Sequence, residues 1–390
     1  RVMAFDKLVN PEQSPFFNWS KPFVQLETTR GCFNTCAFCV SGGEKPVRTL
    51  SVEAIRERVR LIHEKGIRNI RVLDRTFNYQ SHRAKALFDL FREFPDMRFH
   101  LEIHPALLSE ELKKELASMP KGLLHLEAGI QSLHEEVLTV SRRAGKLADA
   151  LEGLRYLCAL DNMETHADLI AGLPLYHLSQ IFDDVRTLAE YRAGEIQLES
   201  LKLLPGTEMR RRAEELGICY SPLPPYEVLQ TREITPDELQ TARQLSRLLD
   251  GFYNAPAWQE ITRRLIVEEP GFLTRFLDHL IQIGVIDQPM GLERRGILLY
   301  HFCKEHYPHF LTAMSRAWIE AGMSLKKEPA ERVRTKHVTP PEAWTVCTGT
   351  YRDDLRLCKL PAPEEGRCYW YGFETESQQL RPVFAAVSQE

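Results

Sequence analysis

Long apolar runs are missing from this 390-residue chain, and without roughly 18 consecutive apolar residues no helix can span a membrane. Its opening residues show no signal-peptide pattern either, so a cytoplasmic setting is expected. An excess of one charge is also absent. The formal net charge of −4 argues against a partner held through phosphate backbones, and nucleic acid is not the expected ligand. The densest basic run, Arg210-Arg211-Arg212, reads as the solvated face of a helix. Low-complexity tracts are lacking, as is any internal repeat beyond a strand–helix period. Nine cysteines, an odd number with three of them clustered, argue against a disulfide framework and for a reducing compartment. An initiator methionine is missing too. Arg1 opens the sequence, which reads as the later part of a longer or trimmed protein, with 1–22 a linker from an absent upstream domain.

What is present begins with Cys32, Cys36 and Cys39, spaced by three residues and then two. Random placement would give this spacing about 0.005 times per chain of this composition. Three thiolates on one loop, with no fourth ligand nearby, suit a [4Fe–4S] cluster that leaves one iron open to a non-protein ligand. Zinc and incidental thiols are the competing readings. Zinc wants four nitrogen or sulfur ligands, and the histidines close by, His63 and His82, fall in helical segments.

From Phe23 to Gly217, strand-like runs alternate with amphipathic helical patterns. The strands are Phe23–Thr28, Ile70–Leu73, Arg98–Ile103, Leu123–Ile130, Thr165–Ala171 and Glu195–Leu203. Between them, sets such as Val52, Ile55, Val59 and Ile62 recur at helical spacing, with Ser51 as N-cap. Leu87, Leu90 and Phe91 mark a second helix, Leu112, Leu116 and Met119 a third, and two more follow. Six such units predict an α/β fold with a parallel sheet curled into a partial, TIM-like (β/α)6 barrel. Chemistry in such barrels sits at the C-terminal strand ends, where the cysteine loop falls. Ser221-Pro222-Leu223-Pro224-Pro225-Tyr226 reads as a stiff linker within 218–234. A mainly helical C-terminal domain is expected over 235–330, with helices at Pro236–Tyr253, Ala257–Val267, Gly271–Ile283 and Leu292–Gly322. A tail with short strands follows over 331–390.

Along the third strand His100, Glu102 and His104 share a face, opposite Phe99, Leu101 and Ile103, and the polar face is assigned to the lumen. His166 and Asp168 on the fifth strand join them, with Glu199 on the sixth. A zinc-like or di-metal site of these residues is set aside because none shows tight ligand spacing. Cys158 reads as a small core residue. An auxiliary cluster held by Cys303, Cys347, Cys358 and Cys368 is the minor reading of these thiols, because their spacing is wide and irregular. The tail aromatics Trp344, Tyr369, Trp370 and Tyr371 read as core or as a cap on a substrate entrance.

The loop Cys32-Phe33-Asn34-Thr35-Cys36-Ala37-Phe38-Cys39 resembles the Cys-x3-Cys-x-aromatic-Cys signature of the radical S-adenosylmethionine (SAM) superfamily. The resemblance, covering about Phe23–Gly217, implies that Cys32, Cys36 and Cys39 hold a [4Fe–4S] cluster and that SAM binds its open iron. One electron then cleaves SAM to a 5′-deoxyadenosyl radical. It also implies a reductant protein such as flavodoxin or ferredoxin. Carried over residue by residue, it puts SAM near Phe38, near Asp74 and Thr76 in Leu73-Asp74-Arg75-Thr76, and near Gln131 and Ser132 in Gly129-Ile130-Gln131-Ser132. It adds Arg142 or Arg143 for the SAM carboxylate, with Arg143 preferred, and Ile170 near adenine before Gly172-Leu173-Pro174. Gly42-Gly43-Glu44 looks like the family's GGE motif but sits on the cluster loop, so it is read as a flexible turn with a solvated glutamate. Gln131-Ser132 and Leu204-Pro205-Gly206-Thr207 resemble the branch that carries an N-terminal cobalamin-binding domain, and the region from Pro224 looks like an uncharacterised domain attached to some members. The Asp-x-His-x-x-Gly loop of that cobalamin domain is absent. The expected activity is modification of an unactivated carbon, with cobalamin-dependent methyl transfer foremost and the substrate open. The alternatives are a cobalamin-independent enzyme acting on RNA or peptide in the manner of methylthiotransferases, or a non-catalytic metal-stabilised scaffold.

Overall fold

The computed structural model describes Phe5, residues 8–374 and residues 381–389. The chain forms two compact units, Arg1–Ser246 and Arg247–Glu390. The division falls inside the helix Pro236–Leu248.

The first unit is built on six strands: β1 (Val24–Leu26), β2 (Asn69–Val72), β3 (Arg98–Ile103), β4 (Leu124–Gln131), β5 (Glu164–Ala171) and β6 (Glu195–Ser200). They lie in sequence order in one sheet, and every neighbouring pair is parallel. Helices α1 (Val52–Glu64), α2 (Ser81–Arg92), α3 (Glu110–Ala117), α4 (Glu135–Val140), α5 (Leu147–Cys158) and α6 (Leu178–Glu190) fill the crossovers. This is the expected partial (β/α)6 barrel.

Helical spacing explains the cover. Ile55, Val59 and Ile62 of α1 are buried, and Ser51 caps the helix by accepting a hydrogen bond from the Ala54 N–H at 3.2 Å. Leu87, Leu90 and Phe91 of α2 and Ile181, Val185 and Leu188 of α6 do the same. The period-2 alternation of β3 and β4 sends Phe99, Leu101, Leu126, Ala128 and Ile130 to the helices and leaves the opposite face polar.

Two expectations change here. The stretch 218–234 contains an antiparallel ribbon of Cys219–Tyr220 with Val228–Gln230, fixed to the barrel by the Val228 N–H donating to the Leu201 carbonyl at 2.9 Å. The Arg210-Arg211-Arg212 run is only partly solvated. Arg210 lies over the rings of Tyr220 and Tyr226 and donates to the Leu203 carbonyl at 2.9 Å.

The second unit contains the helices α7 (Gln259–Glu268), α8 (Phe272–Gln282), α9 (Leu292–His306) and α10 (Leu311–Glu320). The single helix expected over Leu292–Gly322 is two, because Pro308 has no N–H to continue the ladder and opens a 3-10 turn, Pro308–Phe310. The tail is a four-stranded antiparallel sheet rather than scattered strands. Its order is β7 (Thr345–Thr348), β10 (Phe384–Gln389), β9 (Arg367–Phe373), β8 (Arg356–Ala362). Cys358 packs on one face with Leu360 and Tyr371, and Cys368 on the other with Leu357 and Trp370, while Cys347 is exposed. Opposite faces keep Cys358 and Cys368 apart, so these two thiols do not meet at one cluster. The tail aromatics are core: Trp344 packs edge-on to Tyr351 and Trp370.

Candidate active site

The cysteine loop leaves the C-terminal end of β1 and returns through a short ribbon that pairs Thr29–Arg30 with Arg48–Thr49. Inside it, tight turns hold the thiols in place. The Cys39 N–H donates to the Cys36 carbonyl at 3.1 Å, Gly42 N–H to Cys39 at 3.1 Å, and Gly43 N–H to Asn34 at 2.8 Å. A Cβ at Gly42 would fall 2.6 Å from the Cys36 carbonyl oxygen, so only glycine fits there. Glu44 is exposed and pairs with Arg48 at 2.9 Å, as a solvated glutamate should.

Neighbouring elements hold the loop from both sides. Ala37 donates its N–H to the Ser141 carbonyl and accepts from the Met209 N–H, both at 2.8 Å. Buried Asn34 accepts from the Ala144 N–H at 3.0 Å. Sequence reasoning missed Asn34, although a polar residue between two ligands was a signal.

Cys32, Cys36, Phe38 and Cys39 line a cavity of about 150 Å³ together with Thr76, Gln131 and Arg143. A larger cavity of about 490 Å³ lies beside Phe5, residues 8–21 and β1. It contains none of the cysteines, so the smaller one is the candidate site. The Cys32 thiol lies 3.8 Å from the Thr76 hydroxyl, and the Arg143 guanidinium donates to the Cys36 sulfur at 3.7 Å. Burial pushes the Cys36 thiol up, and Arg143 opposes it. Arg143 also donates to the Gly129 carbonyl. Gln131 sits at a break in the β4–β5 register with φ +74°, and among the described residues its buried Oε1 has no hydrogen-bond partner.

Four residues expected at the SAM site fall elsewhere. Asp74 does not line the cavity. It is 1% exposed and accepts from the Thr28 and Thr29 N–H groups, both at 2.8 Å, and from the Thr28 hydroxyl, tying the end of β1 to the loop after β2. Ser132 is fully buried, 3.5 Å from Asp184, whose carboxylate also takes the Leu133 N–H at 2.8 Å. Arg142 is exposed and pairs with Glu208. Ile170 lies on the Asp168 face of β5, one step further along, outside the cavity lining.

Below the cysteines the lumen is densely titratable, as the parity of β3 predicted. His100 Nε2 lies 2.8 Å from Glu127 Oε2, and Glu102 lies beside Glu127 and Arg75. Burial, followed by the Glu127 charge, pushes Glu102 up to about 7. His104 donates from Nε2 to the Ala144 carbonyl at 2.9 Å, and burial with Arg143 nearby brings it down to about 4. Glu199 is exposed on the same face of β6. His125 and Glu127 of β4 were missed, although Leu124, Leu126 and Ala128 alternate with them in the sequence.

Two features fit a cube-shaped cluster better than one zinc. The donor set is three thiols, with no fourth cysteine lining the cavity. Sulfurs sharing a zinc at 2.3 Å lie about 3.8 Å apart. Among the described residues, neither group of donor atoms gathered within 4.8 Å includes a cysteine.

A parallel barrel with an open-cornered thiol loop at its mouth defines a class, the cluster-dependent radical enzymes. Residues 26–188 match the family model described as the Radical SAM superfamily. Residues 214–310 match a family described as a protein of unknown function, DUF4080. Among curated relatives, tRNA-2-methylthio-N(6)-dimethylallyladenosine synthase of Herpetosiphon aurantiacus is 27% identical over 213 residues, covering 50% of this chain and 47% of the relative. Ribosomal protein uS12 methylthiotransferase RimO of Prochlorococcus marinus is 27% identical over 178 residues, covering 43% and 41%. The chain thus spans about half the length of the curated relatives it matches. Among solved structures, the radical SAM methyltransferase TsrM of Kitasatospora setae, with tryptophan and a SAM analogue bound, aligns with TM-score 0.45 and 17% identity, over 56% of this chain and 43% of that one. Among the described residues, no helix is long and apolar enough to cross a membrane.

Proposed function

We propose that this chain carries the radical-generating centre of an enzyme that modifies an unactivated carbon. The observation that carries the reading is the three-thiol loop, pinned at the strand ends and lining one cavity with Thr76, Gln131 and Arg143. Cys32, Cys36 and Cys39 would ligate a [4Fe–4S] cluster. Together with SAM, that cluster supplies a carbon radical by one-electron cleavage of the sulfonium. The chain's own groups bind and orient. Arg143 offers a planar fork to a carboxylate, and the orphaned Gln131 amide oxygen accepts from an ammonium or hydroxyl. The Phe38 ring and the Thr76 hydroxyl complete the SAM surface. A flavodoxin or ferredoxin would bring the electron, in the cytoplasm.

The test is 5′-deoxyadenosine formation by protein reconstituted and reduced without oxygen. Wild type should release it from SAM, and Cys32→Ala should fall to background. Undiminished cleavage by Cys32→Ala overturns the reading.

For the reaction itself, methyl transfer assisted by cobalamin is our first choice, supported by the Gln131-Ser132 strand end and the Leu204-Pro205-Gly206-Thr207 turn. Methylthio transfer is the second reading. The names of the curated relatives favour it, and they bring tRNA and ribosomal protein into consideration as substrates despite the modest net charge. Iron content separates the two, since a methylthio-transferring enzyme with two clusters carries about eight irons where one cluster carries about four.

A further inference from the structure

On the lumen floor, a second set of donors stands apart from the thiol loop. His166 of β5 is 4% exposed, and among the described residues neither of its ring nitrogens has a hydrogen-bond partner. Its Nε2 lies 3.0 Å from Asp168 Oδ1, also buried and unpartnered, so the two atoms are close but misaligned for a hydrogen bond. Glu127 stands opposite His166 in the β4–β5 ladder. One donor atom from each of Glu127, His166 and Asp168 lies within 4.8 Å of the other two. Unpartnered buried polar atoms are costly, and a shared cation removes that cost.

We propose that Glu127, His166 and Asp168 bind one divalent first-row transition ion, separate from the cysteine-ligated centre. One imidazole and two carboxylates suit Mn²⁺, Fe²⁺ or Zn²⁺. Soft Cu⁺ prefers thiolate and thioether, and Ca²⁺ prefers oxygen alone. An outer partner is in place: His100 Nε2 at 2.8 Å from Glu127 Oε2 can donate and fix the carboxylate. A competing set, His125, His166 and Glu195, shares the central ring. There, Arg98 Nη2 lies 3.1 Å from His125 Nδ1. A guanidinium only donates, so the His125 proton sits on Nε2 and that nitrogen has no lone pair to give. Glu127 and Asp168 also line the cysteine cavity, so the ion's remaining positions face whatever polar group enters it. Sequence spacing concealed this site because cross-strand register, not local spacing, gathers its donors.

The test is Mn²⁺ titration of the full chain with its cluster reconstituted in the diamagnetic oxidised state, following the EPR signal of free Mn²⁺. Wild type should take up about one ion that Zn²⁺ displaces. His166→Ala and Asp168→Asn should each weaken binding at least tenfold, with the cluster absorption unchanged and surface His309→Ala neutral. Should His166→Ala fail to fold, Asp168→Asn and Glu127→Gln carry the same expectation. The proposal is overturned if wild type binds no Mn²⁺, or if these variants bind as wild type does. Loss in Cys32→Ala with the lumen variants unaffected would place the ion at the thiols. Loss in His125→Ala with Asp168→Asn unaffected would place it in the competing set. Either result also overturns it.

Discussion

The two faces of the six-stranded sheet have opposite characters. Toward the helices, Phe99, Leu101, Leu126, Ala128 and Leu169 are completely buried, and there the sheet does nothing but pack. Toward the lumen the same strands present His100, Glu102, Glu127, His166 and Asp168, and among the described residues buried atoms of His166 and Asp168 find no hydrogen-bond partner. A parallel sheet is ordinarily apolar on both faces. The contrast teaches that one face was built for stability and the other for ligands, with the period-2 backbone keeping the two apart.

The sharpest way to break this contrast is at the mouth. Gly42→Ala forces a methyl group against the Cys36 carbonyl oxygen, and the loop must distort. Iron per chain after reconstitution should drop severalfold while the thermal midpoint stays near wild type. Retained iron would show that the turn is not what presents the thiols. The converse is Leu126→Ala on the packed face, expected to cost about 2–5 kcal/mol in urea unfolding with iron content preserved. A smaller effect probes the lumen edge. His104 is held at about 4 in the fold, against about 6.5 unfolded, so its contribution to stability is present above pH 6.5 and lost as pH falls toward 4. Between pH 7 and pH 5 wild type should lose on the order of 2 kcal/mol more than His104→Gln. Parallel pH profiles for the two proteins would refute the assignment.

Much of this contrast was legible in the sequence. Strict alternation in Arg98–Ile103 places His100 and Glu102 on one face whatever the register, and the cysteine spacing survives any error in strand ends. What escaped notice was non-local. Asp74 follows a strand and reads as a site residue, yet the N–H groups it takes belong to Thr28 and Thr29, 46 and 45 residues earlier in the chain. Ser132 looks like a ligand contact until the fold places Asp184 next to it. Pairing of His166 with Asp168 could be guessed from β5 alone, but Glu127 joins them only through the ladder.

One residue links these observations. Ala37 lies between two of the thiols, with its amide committed to the end of α4 and its carbonyl to the helix that starts after Thr207. It works as a keystone between two arches, so loosening either neighbour would first appear as slower cluster uptake and faster cluster loss, well before the barrel itself began to melt.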